Sequence, residues 1–337
     1  MINLRSDTFT MPSTDMRKVI QNAEVGDDYY GEDDSANRLE DYCKELFGVE
    51  DAVFATSGML SNRLAVMSQT RPGDELVTDH SYHINMFESG AIASLAGIVI
   101  NTIQCKHGII TTSDLKKAID SKPREEFYTQ VKLVSIENTI NSHQGKIYPL
   151  EEIKHISEFC RKANIRLHLD GARLFNAHVA TKIPLKTYAQ YADTINVCFS
   201  KGLGAPFGSI LMGSKETIKE ARRLRVWLGS GFHQIGMNAK ACYFALENQL
   251  DRLEEDHRLT KLLAQKIAAS TPIQIDLNSI ETNMIYFDVS QFNITAADFV
   301  EQCKKDGVFL CEWLPTTVRI VLHRDIQEKD VLFAAEI

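Results

Sequence analysis

Between residues 52 and 199 short β-rich runs alternate with stretches of helical periodicity, and this alternation constrains the fold more than any other feature of the chain. Residues 52–55 read as a strand. A Thr56-Ser57-Gly58 turn and a helical pattern over 60–68 follow it. Further strands are expected at 75–78, 98–103, 131–136, 165–169 and 194–199, with a helix over 149–162 whose apolar residues are Leu150, Ile153, Ile156 and Phe159. Strands separated by helices cannot be joined by hairpins, so they form a mostly parallel sheet with helices on both faces, an α/β fold with right-handed crossovers. In such a sheet, ligands sit beyond the carboxyl ends of the strands. Functional residues should therefore fall just after strands.

The pattern changes after Gly236. A helix is expected over 237–254, then a more mixed stretch with strands at 284–288 and 318–322. This divides the 337 residues into a large domain, 1–244, and a smaller α+β domain, 245–337. The net charge of -8 argues against a surface built for nucleic acid. No apolar run approaches the length of a membrane span, and the polar start Met-Ile-Asn-Leu-Arg-Ser-Asp does not read as a signal peptide. The seven cysteines are scattered and never form a CxxC pair, which suits reduced thiols and a cytoplasmic setting, with no metal site expected.

Four segments follow expected strands. Ser57, Gly58 and Met59 open a helix, where backbone N–H groups can cradle a phosphate, although strand–Gly–helix turns also occur without a ligand. His80 and His83 follow the strand at 75–78. Asp170 ends a buried run; an acid there needs a cationic partner, which could be a protonated ring nitrogen or simply Arg173. Ser200 and Lys201 end another buried run, where desolvation can make an amine nucleophilic, and Gly202 and Gly204 allow close backbone approach. No GxGxxG, GxxxxGK[ST], HExxH or GxSxG is present.

Taken in order, these segments supply the parts of a pyridoxal-phosphate site. With Leu4-Arg5-Ser6-Asp7-Thr8, Val25-Gly26-Asp27-Asp28, Tyr30-Gly31-Glu32-Asp33, Leu167 to Ala177, Ser200 to Pro206 and Val318 to Val321, the chain resembles the low-specificity L-threonine aldolases. That resemblance implies fold type I, an aspartate-aminotransferase-like three-layer architecture. It also implies pyridoxal 5′-phosphate as cofactor and an aldehyde-lyase reaction that cleaves a β-hydroxy-α-amino acid to glycine and an aldehyde. Lys201 would carry the cofactor as a Schiff base, Asp170 would face the pyridine nitrogen and His83 would stack on the ring. Ser57, Gly58, Met59 and Ser200 would lie around the cofactor, and Ser6, Arg173 and Arg319 would hold the substrate carboxylate. Homodimers or homotetramers with shared sites would add Tyr30 and the segment around His233 from a neighbour.

The chain departs from the family pattern at Ile140, where a histidine facing the substrate's β-hydroxyl is usual; at His233, where arginine is common; and at Met59, where a hydroxyl residue is common. Ile140 keeps open a β-eliminating or transaldolase reaction on the same cofactor, and a non-catalytic role is a third reading. Met59 and His233 imply weaker hold on the phosphate.

Overall fold

The computed structural model describes residues 1–123, 125 and 127–337. Its seven-stranded sheet has the order Asp51–Ala55, Ser209–Gly213, Thr194–Cys198, Arg166–Gly171, Val131–Glu137, Glu75–Asp79, Val99–Ile103. All neighbours pair in parallel except at Ser209–Gly213, which runs antiparallel to both strands beside it. The sequence reading missed that strand. It returns by a turn after Thr194–Cys198, with Phe199 N–H donating to the Gly208 carbonyl at 3.0 Å, and so lacks the helix that marked the others.

Side chains alternate across the sheet with period two. Ala52, Phe54, Ile210 and Met212 enter one core with the helices Asp34–Phe47 and Gly236–Gln249. Val53, Ala55 and Leu211 enter another with the helices Gly58–Gln69 and Lys215–Trp227. Both faces are thus covered, giving three layers and confirming the α/β expectation.

The expected helix over 237–254 is two helices, Gly236–Gln249 and Leu253–Ser270. Leu253 still belongs to the large core, whereas Leu259, Leu263 and Ile267 belong to a separate C-terminal one. The hydrophobic division therefore falls between 253 and 259 rather than at 245. The smaller core forms around the antiparallel strands Cys311–Leu314, Thr317–Val321 and Met284–Asp288. Ile2 and Leu4 also belong to it, because Ile2–Asn3 pairs in parallel with Val308–Phe309. The N-terminal segment thus packs with the C-terminal unit, and the turn at Ser6 leads it back to the large sheet. No helix is long and apolar enough to cross a membrane among the described residues.

Candidate active site

Five strands deliver residues to one pocket at their carboxyl ends. Ser57, Gly58 and Met59 follow Asp51–Ala55, and His83 follows Glu75–Asp79. Glu137, Thr139 and Asn141 close Val131–Glu137, Asp170 and Arg173 end Arg166–Gly171, and Cys198, Ser200 and Lys201 end Thr194–Cys198. Asn62, on the helix Gly58–Gln69, forms part of the floor.

The outer end is a helix N-terminus. Ser57 caps it, accepting from Leu60 N–H at 3.2 Å, while Ser61 N–H bonds the Ser57 carbonyl at 3.1 Å. The Gly58 and Met59 N–H groups lie in the first turn, where no intrahelical acceptor exists. They and the positive helix end favour an anion. A Cβ at Gly58 would sit 2.6 Å from Cys198 Sγ, so only glycine lets this turn approach the Lys201 strand.

The deep end is built from carboxylates. Asp170 is buried; its Oδ2 accepts from Asn62 Nδ2 at 2.9 Å and its Oδ1 from Ala172 N–H at 3.0 Å. Glu137 is also buried, taking Asn141 N–H at 2.8 Å and His83 N–H at 2.7 Å, and burial together with the Asp170 charge raises its pKa. A buried pair of carboxylates calls for positive charge between them. Lys201 is half-buried; its carbonyl accepts from Gly204 N–H at 2.8 Å, while its side-chain amine has no hydrogen-bond or ion-pair partner among the described residues. His83 Nδ1 lies 2.9 Å from Glu88 Oε1. Burial works against the imidazolium, but the Glu88 bond and the charges of Asp170, Glu88 and Glu137 prevail, so the His83 pKa is raised.

At the third corner, Arg173 is gripped by a residue of the N-terminal segment. Its Nε and Nη2 donate to the two oxygens of buried Asp7 at 2.8 and 2.7 Å. Burial alone would raise the Asp7 pKa; the Arg173 charge and hydrogen bonds overcome it and bring it down to about 2. This leaves Arg173 Nη1 for Asn141 Oδ1 at 3.3 Å, where Arg319 Nη1 also arrives at 3.4 Å. Two guanidinium groups meeting on one amide oxygen mark a place where a carboxylate fits better than the amide. Arg319 lies over the Trp313 ring at 4.6 Å, and its Nη2 holds the Arg5 carbonyl at 3.0 Å. Ser6 Oγ accepts from Thr8 N–H and Thr8 Oγ1, and its own hydrogen is left free to donate.

Lys201, His83, Asp170, Arg173, Ser57, Gly58, Met59 and Ser200 therefore line one pocket. Ser6 and Arg319 stand outside the lining set, reaching it through Asn141 or the turn after residue 6. Tyr30 and His233 do not line the pocket of their own chain. Tyr30 is 72% exposed, and His233 Nδ1 is held 2.8 Å from Asp27 Oδ2 on the surface. Ile140 is the clear departure from expectation. It is fully buried in the large core beside Gly108, while Thr139 and Asn141 on either side face the pocket. Asp7, Asn62, Glu88, Glu137, Thr139 and Asn141 also belong to the site or its support, although the sequence pattern assigned none of them a role; Asp7 lies within the Leu4 to Thr8 segment.

The profile of the beta-eliminating lyase family matches residues 3–290. The chain belongs to that family, in its threonine aldolase group. The low specificity L-threonine aldolase of Escherichia coli is 38% identical, over 98% of this chain and 96% of that one. The low-specificity L-threonine aldolase 1 of Arabidopsis thaliana is 35% identical, over 98% and 93%. A solved structure of Leishmania major threonine aldolase matches with a TM-score of 0.86 and 20% identity, over 100% of this chain and 98% of that one, which supports the fold.

The residues present fit pyridoxal 5′-phosphate as a fold-type-I member of this group would hold it. Unpaired helix-end N–H groups suit the phosphate, the buried Asp170 suits a protonated ring nitrogen, and the unpartnered Lys201 suits the aldehyde. Among the described residues no cluster of His, Cys, Asp and Glu could hold a metal ion.

Proposed function

We propose that this chain binds pyridoxal 5′-phosphate through Lys201 and cleaves L-threonine, L-allo-threonine or a related β-hydroxy-α-amino acid to glycine and an aldehyde. The observation that carries this reading is the convergence of Lys201, Asp170, His83 and the Arg173–Arg319 junction around one pocket. When bound, the cofactor supplies an electron sink for the pair released as the Cα–Cβ bond breaks.

The chain's own residues do the rest. Asp170, fixed by Asn62 and Ala172, holds the ring-nitrogen proton. Arg173 Nη1, Arg319 Nη1 and the Ser6 hydroxyl grip the substrate carboxylate and so orient the bond to be broken. Asp7 keeps the Arg173 fork from turning. His83 Nε2, the ring nitrogen not used by Glu88, takes the β-hydroxyl proton, and Thr139 Oγ1, buried without a partner, is placed to steady that hydroxyl. His83 must be neutral to accept a proton. Because its pKa is raised, kcat/KM should climb with pH through a midpoint above the ordinary histidine value of about 6.5.

A β-eliminating or transaldolase reaction drew its support from an apolar wall at Ile140. Ile140 is buried away from the pocket, so that wall is absent and no structural feature favours these readings over cleavage.

A dimer or tetramer with shared sites fits the surface. Tyr29, Tyr30, Trp227, Phe232 and Met237 are exposed, and Asp28 N–H donates to the His233 carbonyl at 2.8 Å, so the two aromatic-bearing segments lie together. The test is to incubate the protein and added pyridoxal phosphate with L-threonine and L-allo-threonine, following glycine and acetaldehyde by NMR. Equal amounts of both products support cleavage. A yellow protein giving neither product would overturn it.

A further inference from the structure

Below the pocket runs a chain of hydrogen bonds whose direction can be read from the donors. Asn62 is buried and uses its full bonding capacity. Its Nδ2 gives one hydrogen to Asp170 Oδ2 at 2.9 Å and the other to Glu88 Oε1 at 2.8 Å. Its Oδ1 accepts from Asn196 Nδ2 and from His168 Nε2, each at 3.1 Å. Two carboxylates on one side and two donors on the other leave a single orientation for the amide. His168 must then carry its hydrogen on Nε2, and its Nδ1, 2.9 Å from Thr194 Oγ1, accepts. Burial drives the His168 pKa down to about 4, so this ring is neutral, and Gln69 Nε2 donates to Thr194 Oγ1 at 2.8 Å. Every donor from Gln69 onward thus points toward Asp170 and Glu88.

Glu88 closes the chain against His83. It is 1% exposed and stands at the N-terminal boundary of the helix Ser89–Ala96, its side chain turned to other partners; burial pushes its pKa up, opposed by the hydrogen bonds from His83 and Asn62. One oxygen, Oε1, receives both Asn62 Nδ2 and His83 Nδ1; the other, Oε2, has no partner among the described residues. An oxygen already accepting from Asn62 receives the imidazole hydrogen in preference to giving one.

Resting on the aldolase reading, we propose that Glu88 is the positioning residue for His83. It fixes the ring as the Nδ1–H tautomer so that Nε2 faces the pocket as proton acceptor, and Asn62 ties this pair to Asp170. One amide nitrogen therefore couples Asp170, which would face a bound cofactor's ring nitrogen, to Glu88 behind His83. The groups that face His83 are Glu88, Asp170 and Glu137, whose Oε2 takes the His83 backbone N–H; Lys201 and Arg173 line the same pocket. During cleavage the β-hydroxyl proton passes to His83 Nε2 while Nδ1 keeps its hydrogen on Glu88. The imidazolium then formed is stabilised by the carboxylate behind it.

The test combines NMR with kinetics. Nitrogen-15 spectra of the imidazole, with His83 identified by its loss in His83→Gln, are recorded across pH on cofactor-free and pyridoxal-phosphate-loaded protein. The wild type should show the Nδ1–H tautomer and a midpoint above about 6.5. Glu88→Gln keeps an oxygen acceptor and should retain the tautomer while lowering the midpoint by about one pH unit or more. Glu88→Ala should lose the tautomer preference. On threonine, Glu88→Gln should lower kcat about ten- to a hundredfold with little change in KM, and shift the acid limb of the rate profile down with the NMR midpoint. A wild-type Nε2–H tautomer, or a midpoint unmoved in Glu88→Gln, overturns the proposal, even if activity falls. The spectra on cofactor-free protein do not depend on the reaction. A wild type with the expected titration that makes no glycine refutes the aldolase reading and leaves the Glu88–His83 pairing supported.

Discussion

The two ends of the pocket are built on opposite plans. Around Asp170, Asn62, Glu88 and half-buried His83 the polar groups are mutually bonded, and Asp7 clamps Arg173 in the same way beside them. Around Ser57, Gly58 and Met59 there is a bare helix end, an exposed Met59, and nearby surface segments that carry exposed aromatic side chains. The difference follows from the work each end does. The deep end must hold charges and protons at fixed places through a reaction, which requires rotamers locked by neighbours. The outer end needs only to retain an anion, which backbone N–H groups at a helix end can do. The deep end should therefore be intolerant of substitution and the outer end adjustable.

The largest effects should come from the deep end. Lys201→Ala should abolish glycine production, and Asp170→Ala should lower kcat by about a hundred- to a thousandfold, measured by the NMR product assay. If Asp170→Ala keeps near wild-type kcat, the deep end is not the electrostatic centre. Asp7→Ala leaves the Arg173 guanidinium buried without its carboxylate and should destabilise by about 3 kcal/mol in denaturant titrations. Acid should act on the same pair. The Asp7 pKa is about 2 when folded against 3.8 ordinarily, so its contribution of about 2 kcal/mol is present above pH 4 and is lost as pH falls from about 4 toward 2. Asp7→Asn should flatten that acid-dependent loss; equal acid sensitivity in variant and wild type would contradict the pairing.

Gly58→Ala probes the border of the two ends. Its methyl group meets Cys198 Sγ, so it should cost about 1–3 kcal/mol of stability and weaken cofactor binding more than it changes kcat at saturating cofactor. The smallest effects belong to the outer end. Met59→Thr and His233→Arg should each tighten pyridoxal phosphate several-fold, by roughly 1 kcal/mol, in fluorescence titrations with kcat unchanged. No tightening in either would mean that this end is already complete.

The sequence was most informative where local pattern decides structure. The strand runs were legible from periodicity, and Ser57, His83, Asp170 and Lys201, picked because they fall past strand ends, line one pocket. The antiparallel Ser209–Gly213 was missed because a single apolar run after a turn carries no directional signal. The pairing of Ile2–Asn3 with Val308–Phe309 joins opposite ends of the chain and leaves no local trace. Asn62 and Glu88 look like ordinary helix residues; only packing shows that one amide touches two carboxylates. Ile140 misled for the complementary reason. Its place in a motif suggested a substrate contact, but side-chain direction is set by the turn around it, which sends Ile140 into the core and Thr139 and Asn141 toward the pocket.

The most direct test of the central claim is to load the protein with pyridoxal phosphate, reduce it with borohydride and map the modified peptide by mass spectrometry. A single pyridoxyl group on Lys201, absent from Lys201→Ala, is the expected result. A label spread over several lysines, or none at Lys201, would contradict the assignment of this pocket as the cofactor site.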